Sequence, residues 1–267
     1  MRLDFRLDCS NGDTTGEGPG NGENPFDAAV FVIDKPVGPT SFRMVSAVRR
    51  ALGIKKVGHA GTLDPFASGL LTICAGRPAT RMISRMMEGR KEYLATLCLG
   101  VETETFDPEG AVTARNPVGL LRAEQIEQCL SLFRGEQLQA PPIYSALKHQ
   151  GKPLYHYARQ GISIVKEPRS VFVETLERTD GGLDVEGGEE ARLSLRVVCS
   201  KGTYIRSLAA DIGKCLGCGA HLIQLRRIRS GCFTLEKSIT GAELFLPDAR
   251  QRLLAKALSV DDLTDLL

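Results

Sequence analysis

The stretch from Val57 to Leu71, Val-Gly-His-Ala-Gly-Thr-Leu-Asp-Pro-Phe-Ala-Ser-Gly-Leu-Leu, limits what this chain can fold into more than any other. Three glycines and Pro65 bracket a single carboxylate, Asp64. Glycine admits left-handed backbone and close approach by another molecule. Pro65 biases Asp64 away from the α region toward extended backbone. Such punctuation presents one aspartate rigidly at the tip of a loop, with His59 earlier on the same loop. After Gly69 the residues turn largely apolar (Leu70, Leu71, Thr72, Ile73, Cys74), the pattern of a buried strand. The loop is therefore anchored to the core directly behind it. Spacing alone leaves two readings open, a catalytic carboxylate and a structural turn, because Asp-Pro and glycine-rich loops are ordinary turn chemistry.

The chain has 267 residues, 42% of them hydrophobic, enough for one large domain or two ordinary ones. No apolar run reaches the length of a membrane span, and the N-terminus carries no hydrophobic signal segment, so a cytoplasmic protein without membrane attachment is expected. Cys215-Leu-Gly-Cys218 is a lone C-x-x-C without a second ligand pair, so no metal is expected, and disulfides do not suit a cytosolic chain. The net charge of +2 is uneven: residues 1–28 carry −4 and 257–267 carry −3, which leaves +9 on the middle. That excess is compatible with a polyanion partner such as RNA, and equally with an ordinary solvated surface.

Residues 1–28 are polar and glycine-rich and read as a disordered leader. Ala29 to Ile33 reads as a strand. Lys35-Pro36-Val37-Gly38-Pro39-Thr40-Ser41 reads as a loop ending in a helix cap, and Phe42 to Leu52 as a helix stopped by Gly53. Arg43, Arg49, Arg50, Lys55 and Lys56 lead straight into the Asp64 loop, which nominates them for phosphate contact. Pro78 to Met87 reads as a helix, Lys91 to Leu99 as an alternating strand, and Ala123 to Phe133 as an amphipathic helix. Over 138–169, basic residues interleave with aromatics (Tyr144, Lys148, Tyr155, Tyr157, Arg159), a composition suited to RNA and also acceptable as a plain helix plus loop. Two further strands, a helix beginning near Tyr204, and short elements beyond Ser230 complete the chain.

Gly58 to Leu71 resembles, without a gap, the catalytic motif of the TruB-type tRNA pseudouridine-55 synthases. Lys35 to Ser41 resembles the first motif of that family, 138–169 its RNA-gripping thumb insertion in bacterial members, and Cys199 to Arg206 and Gly217 to Arg227 two later segments. The likeness runs in order from residue 29 to about 240. It implies an α+β catalytic domain over 29–240, with a mixed, largely antiparallel central sheet, flanking helices and the thumb. A helical tail over 241–267 follows, and the β-rich PUA-type domain of many members is expected to be absent or truncated.

The resemblance also implies roles. Asp64 is the catalytic carboxylate and Arg206 its ion-pair partner. Tyr93 stacks on the target base, Tyr204 lies near it, and Leu225 lines its pocket. His59 is expected to fill the space the base leaves, and His221 to be structural. Lys35, Arg49, Lys56, Lys148 and Arg159 are nominated for the RNA backbone. Conversion of uridine to pseudouridine is an isomerisation: the C1′–N1 bond breaks, C1′ joins C5, and the C5 proton leaves. It requires no cofactor or metal. The partner implied is the T-arm of tRNA, bound by a monomer with no obligate protein partner. For Asp64, attack at C1′, attack at C6 and abstraction of the 2′ proton all remain open.

Overall fold

The computed structural model describes residues 28–182, 184–261 and 263, so the leader expected over 1–28 lies, apart from Ala28, outside the described residues. Two strands buried on both faces anchor the fold. β1 (Ala29–Lys35) turns Ala29, Phe31 and Ile33 into the larger core and Val30 and Val32 into a smaller one behind it. Helix α1 (Ser41–Leu52) follows. The Thr40 hydroxyl caps it by accepting the Arg43 N–H at 3.1 Å, and Gly53 ends it at φ 68°. β2 (Val57–Ala60) pairs with β3 (Ser68–Ala75), which also divides its residues, with Leu71 and Ile73 in the larger core and Leu70 and Cys74 in the smaller. Near-continuous apolar runs are what doubly covered strands require.

The helix expected from Pro78 to Met87 is instead two short ones, α2 (Arg77–Arg81) and α3 (Ile83–Met86). The Met82 N–H bonds back three residues to the Ala79 carbonyl and closes the first early. β4 (Lys91–Leu99) alternates as expected, with Tyr93, Ala95, Leu97 and Leu99 in the core. On its outer face Glu92 pairs with Arg196 at 2.7 Å and Arg229 at 2.9 Å. β5 (Val101–Thr103) and β6 (Val112–Arg115) form a separate two-stranded sheet. Helix α4 (Ala123–Ser131) buries Ile126 and Leu130.

β7 (Gly135–Gln139) returns to the main sheet, followed by the small hairpin β8 (Lys148–His149) and β9 (Lys152–Pro153) and the short helix α5 (Leu154–Ala158). Next come β10 (Arg169–Arg178), β11 (Ala191–Cys199), α6 (Ile205–Cys215), β12 (Ala220–Ser230), β13 (Phe233–Thr234), β14 (Ile239–Thr240) and α7 (Ala249–Ala255). The last segment packs on α1, where Arg250 donates to the Leu52 carbonyl at 3.0 Å.

Among the described residues the main sheet has ten strands. Its path is β14-β1-β3-β12-β4-β11-β10-β7, with β2 on β3 and β13 on β12. Only β1–β14 and β12–β3 pair in parallel, so the sheet is mixed and largely antiparallel, as expected. One feature positions the site. Along a single edge of β3, β2 pairs from Thr72 to Ala75 while β12 pairs at Ser68 and Gly69. The sheet forks there, and the Asp64 loop occupies the fork. The excursion between β7 and β10 spans 140–168 rather than 138–169, because Leu138 and Gln139 pair with Ser170 and Arg169 in the ladder.

Replacing Thr40 by alanine removes the α1 cap and is expected to lower stability by about 1 kcal/mol in denaturant unfolding. Gly69→Ala is expected to cost more. Gly69 has φ +100°, and an added Cβ would lie 2.2 Å from the Arg227 carbonyl oxygen, where backbone has no room to yield.

Candidate active site

The Asp64 loop is held from below by the segment that precedes α1. The Ser41 hydroxyl accepts the Leu63 N–H at 2.9 Å and donates to the Leu63 carbonyl at 2.8 Å. Gly38 N–H donates to the Pro65 carbonyl at 2.8 Å. The Lys35 ammonium is fully buried and donates to the carbonyls of Ala67 (2.6 Å), Pro36 (2.9 Å) and Pro65 (3.3 Å). Burial pushes that ammonium down to about 8, with Asp64 pulling the other way. Lys35 is therefore a floor strut and not a backbone-phosphate contact. The expectation from sequence is corrected, because every direction its donors take is inward.

Above the loop, α6 brings in Arg206, only 5% exposed. Its Nε lies 3.0 Å from Asp64 Oδ2. One terminal nitrogen donates to the Thr105 carbonyl at 2.9 Å and to Asp107 Oδ2 at 3.1 Å. The other donates to the Tyr144 carbonyl at 2.7 Å. Asp107 is itself buried and held by the Thr105 hydroxyl and the Glu109 N–H. Phe106, between them, sits at φ 60°, a left-handed conformation rare for an aromatic residue and marking a turn held by its surroundings. The Asp64 carboxyl lies above the ordinary carboxylate range: burial raises it, Arg206 opposes this, Asp107 adds to it, and Lys35 opposes it. Its side chain nonetheless keeps 37% of its surface open, toward the cavity.

That cavity has a volume of about 350 Å³, at the lower end of the range for small-ligand pockets. Asp64, Tyr93, Tyr204, Arg206 and Leu225 all line it. Tyr204 caps α6, and a two-way bond with the Gln139 side chain ties it to β7 (2.7 and 3.1 Å). Tyr93 is buried, and burial raises its phenol, opposed by the nearby charge of the Arg227 guanidinium.

Five residues named from sequence are thus brought together, from the loop, β4, the start of α6 and β12. Others are not. His59 belongs to β2 and not to the loop, paired across to Ile73, and it stands outside the cavity lining. Its ring is partly buried, its Nδ1 is buried without a hydrogen-bond partner, and burial followed by Arg227 lowers its pKa. Arg49 reaches back to the Val57 carbonyl at 3.4 Å, and Lys56 is exposed. Lys148 and Arg159 are exposed on the 140–168 excursion, with the Arg159 guanidinium 5.5 Å over the Tyr155 ring. None of these four lines the cavity. His221 is buried and donates to the Val101 carbonyl at 2.8 Å, a structural role as expected.

Sequence reading missed Asp107, Lys91, Ser145 and Arg227. Arg227 had a signal: it falls two residues after Leu225 on a strand, at an inward position where a charge is out of pattern. Asp107 had none, since it sits in a turn where aspartate is ordinary. Among the described residues no group of three His, Cys, Asp or Glu is placed to hold a metal, and no helix is long and apolar enough to cross a membrane.

Comparison with known proteins agrees with this geometry. Residues 49–205 match the model of the TruB family pseudouridylate synthase N-terminal domain, and 206–258 match that of the tRNA pseudouridylate synthase B C-terminal domain. The junction falls at the start of α6, inside one continuous sheet. The tRNA pseudouridine synthase B of Desulfotalea psychrophila is 61% identical over 92% of this chain and 99% of that protein. The tRNA pseudouridine synthase B of Protochlamydia amoebophila is 45% identical over 80% of this chain and 79% of its own length. Among solved structures, a Cbf5-Nop10-Gar1 complex aligns at TM-score 0.63 and 29% identity, covering 94% of this chain and 65% of the matched one. On these grounds the chain belongs to the TruB family of pseudouridylate synthases.

Proposed function

We propose that this enzyme converts uridine to pseudouridine in the T-loop of tRNA, at position 55, with Asp64 acting as a nucleophile on a nucleotide flipped out of its stack. The observation that carries the reading is the Asp64 carboxylate, 3.0 Å from the Arg206 guanidinium, on a cavity walled by two tyrosines and a leucine. Relatives named tRNA pseudouridine synthase B, similar along nearly the whole chain, support tRNA as the substrate. A base inside a folded loop must leave the stack before any atom of it can be reached. Tyr93 and Leu225 offer the flat and apolar walls such a base needs, and Tyr204 stands at the mouth of α6. His59, whose pKa is lowered by burial and by Arg227, presents an uncharged ring, which suits stacking in the vacated space better than proton transfer. Arg49, Lys56, Lys148 and Arg159 supply cations for the RNA backbone. The enzyme works in the cytoplasm, as a monomer, without guide RNA or protein partner.

Tritium release from C5-labelled T-arm stem-loop, with no other macromolecule present, tests this directly. Activity is expected; a requirement for guide RNA or partner proteins, or turnover only on other uridines, would overturn it. Asp64→Ala is expected to abolish release while binding of the stem-loop persists. Substantial residual turnover in that variant rejects the nucleophile.

The pH dependence follows from the direction of the Asp64 shift. The ionised form reacts, so the single-turnover rate rises with pH through a midpoint above the ordinary aspartate value of about 3.9. Arg206 favours the charged form, so Arg206→Met is expected to move that midpoint higher still. A midpoint that falls in this variant contradicts the assignment. Tyr93→Phe, if the phenol helps move the C5 proton, is expected to slow the step by ~10²-fold or more. An unchanged rate leaves only the ring in use.

A further inference from the structure

We propose that Arg227 is a positioning residue for this reaction: its buried guanidinium bridges both legs of the Asp64 loop from the strand position paired with Tyr93, so that base platform and nucleophile are held in register. The inference rests on the function proposed above.

The register of the sheet sets up the contact. On β12, Arg227 is the direct partner of Tyr93 on one side and of Gly69 on the other. Its Nε donates to the Leu70 carbonyl at 2.8 Å, and one terminal nitrogen donates to the Gly61 carbonyl at 3.0 Å. Gly61 lies before Asp64 and Leu70 after it, so one planar group spans the entry and exit of the loop. The Tyr93 ring and the Arg227 guanidinium face the same cavity.

Two observations separate this from a plain structural peg. Arg227 is 2% exposed, and among the described residues no carboxylate forms an ion pair with it. A buried charge compensated only by carbonyls is costly to hold. The ladders to β3 and β4 already join β12 to its neighbours without it. The cost makes sense where the charge has a use, and Arg227 lines the cavity that Asp64 and Tyr93 share. Gly61, whose carbonyl accepts from Arg227, has φ +90°, a left-handed backbone that favours glycine.

The test is single turnover on the T-arm stem-loop with enzyme in excess, with binding measured separately and folding checked by thermal melting. Small misplacement of reacting groups costs ~10²-fold, and a loss of that order is expected for Arg227→Gln, with affinity nearly unchanged. Arg227→Lys keeps the charge but not the planar fork and is expected to recover part of the rate. A full rate in Arg227→Gln, or a loss confined to affinity, overturns the proposal. If Arg227→Gln does not fold, Arg227→Lys against wild type makes the same comparison: a lowered rate with affinity kept supports the proposal and a full rate overturns it. A wild-type protein silent on the stem-loop overturns the function and this inference together, whereas a wild-type rate indifferent to Arg227 overturns this inference alone.

Discussion

A single buried guanidinium gathers three separate stretches of the chain around the start of α6. Arg206 donates to Asp64, to the Thr105 carbonyl and Asp107, and to the Tyr144 carbonyl. These acceptors belong to the loop in the fork, the turn after β5, and the root of the 140–168 excursion. Arginine suits the position because its planar, permanently charged fork presents several donors in fixed directions. Breaking such a pair from one side leaves a buried charge unmatched, typically at ~3–5 kcal/mol. The arrangement also bears on the protonation of the Asp64 carboxyl. Burial and Asp107 push Asp64 up, while Arg206 and Lys35 pull it back, so neither influence acts alone.

The fork in the sheet explains why the carboxylate is accessible at all. β3 is buried on both faces, and a loop leaving it would ordinarily be pressed against a neighbouring strand. Here β2 leaves the edge of β3 and β12 takes it over, and the glycine at the exchange lets the two backbones approach. Lys35 and Ser41 then support the loop from beneath by bonding its carbonyls and its Leu63 N–H. The proline- and glycine-rich segment before α1 is thus part of the Asp64 loop's scaffold. That accounts for the otherwise costly burial of a lysine.

What was legible came from short-range rules. Helix α1 was readable from Thr40 to Gly53 because both caps are local. β4 was readable because one face of it is wet. The 140–168 excursion was harder to delimit, since the run up to Gln139 alternates polar residues with an exposed Leu138 and looks loop-like, yet joins the ladder at its edge. His59 was placed on a loop because glycines flank it, but the exposed backbone of β3 recruits it into a strand. Lys35 was read as a surface cation because lysine usually is one. Its burial depends on three carbonyls, two of them, Pro65 and Ala67, about thirty residues away in the chain.

By itself the sequence determined the run of strands and helices and the family resemblance, and through that resemblance the central carboxylate and its arginine, because motif order and residue chemistry are local properties. Only the tertiary structure decided which cations are exposed and which are buried, that Asp107 and Arg227 adjoin the Asp64 loop and its arginine, and that the loop opens in a fork of the sheet. Those facts depend on strand register and on contacts between residues far apart in the chain, which no local pattern encodes.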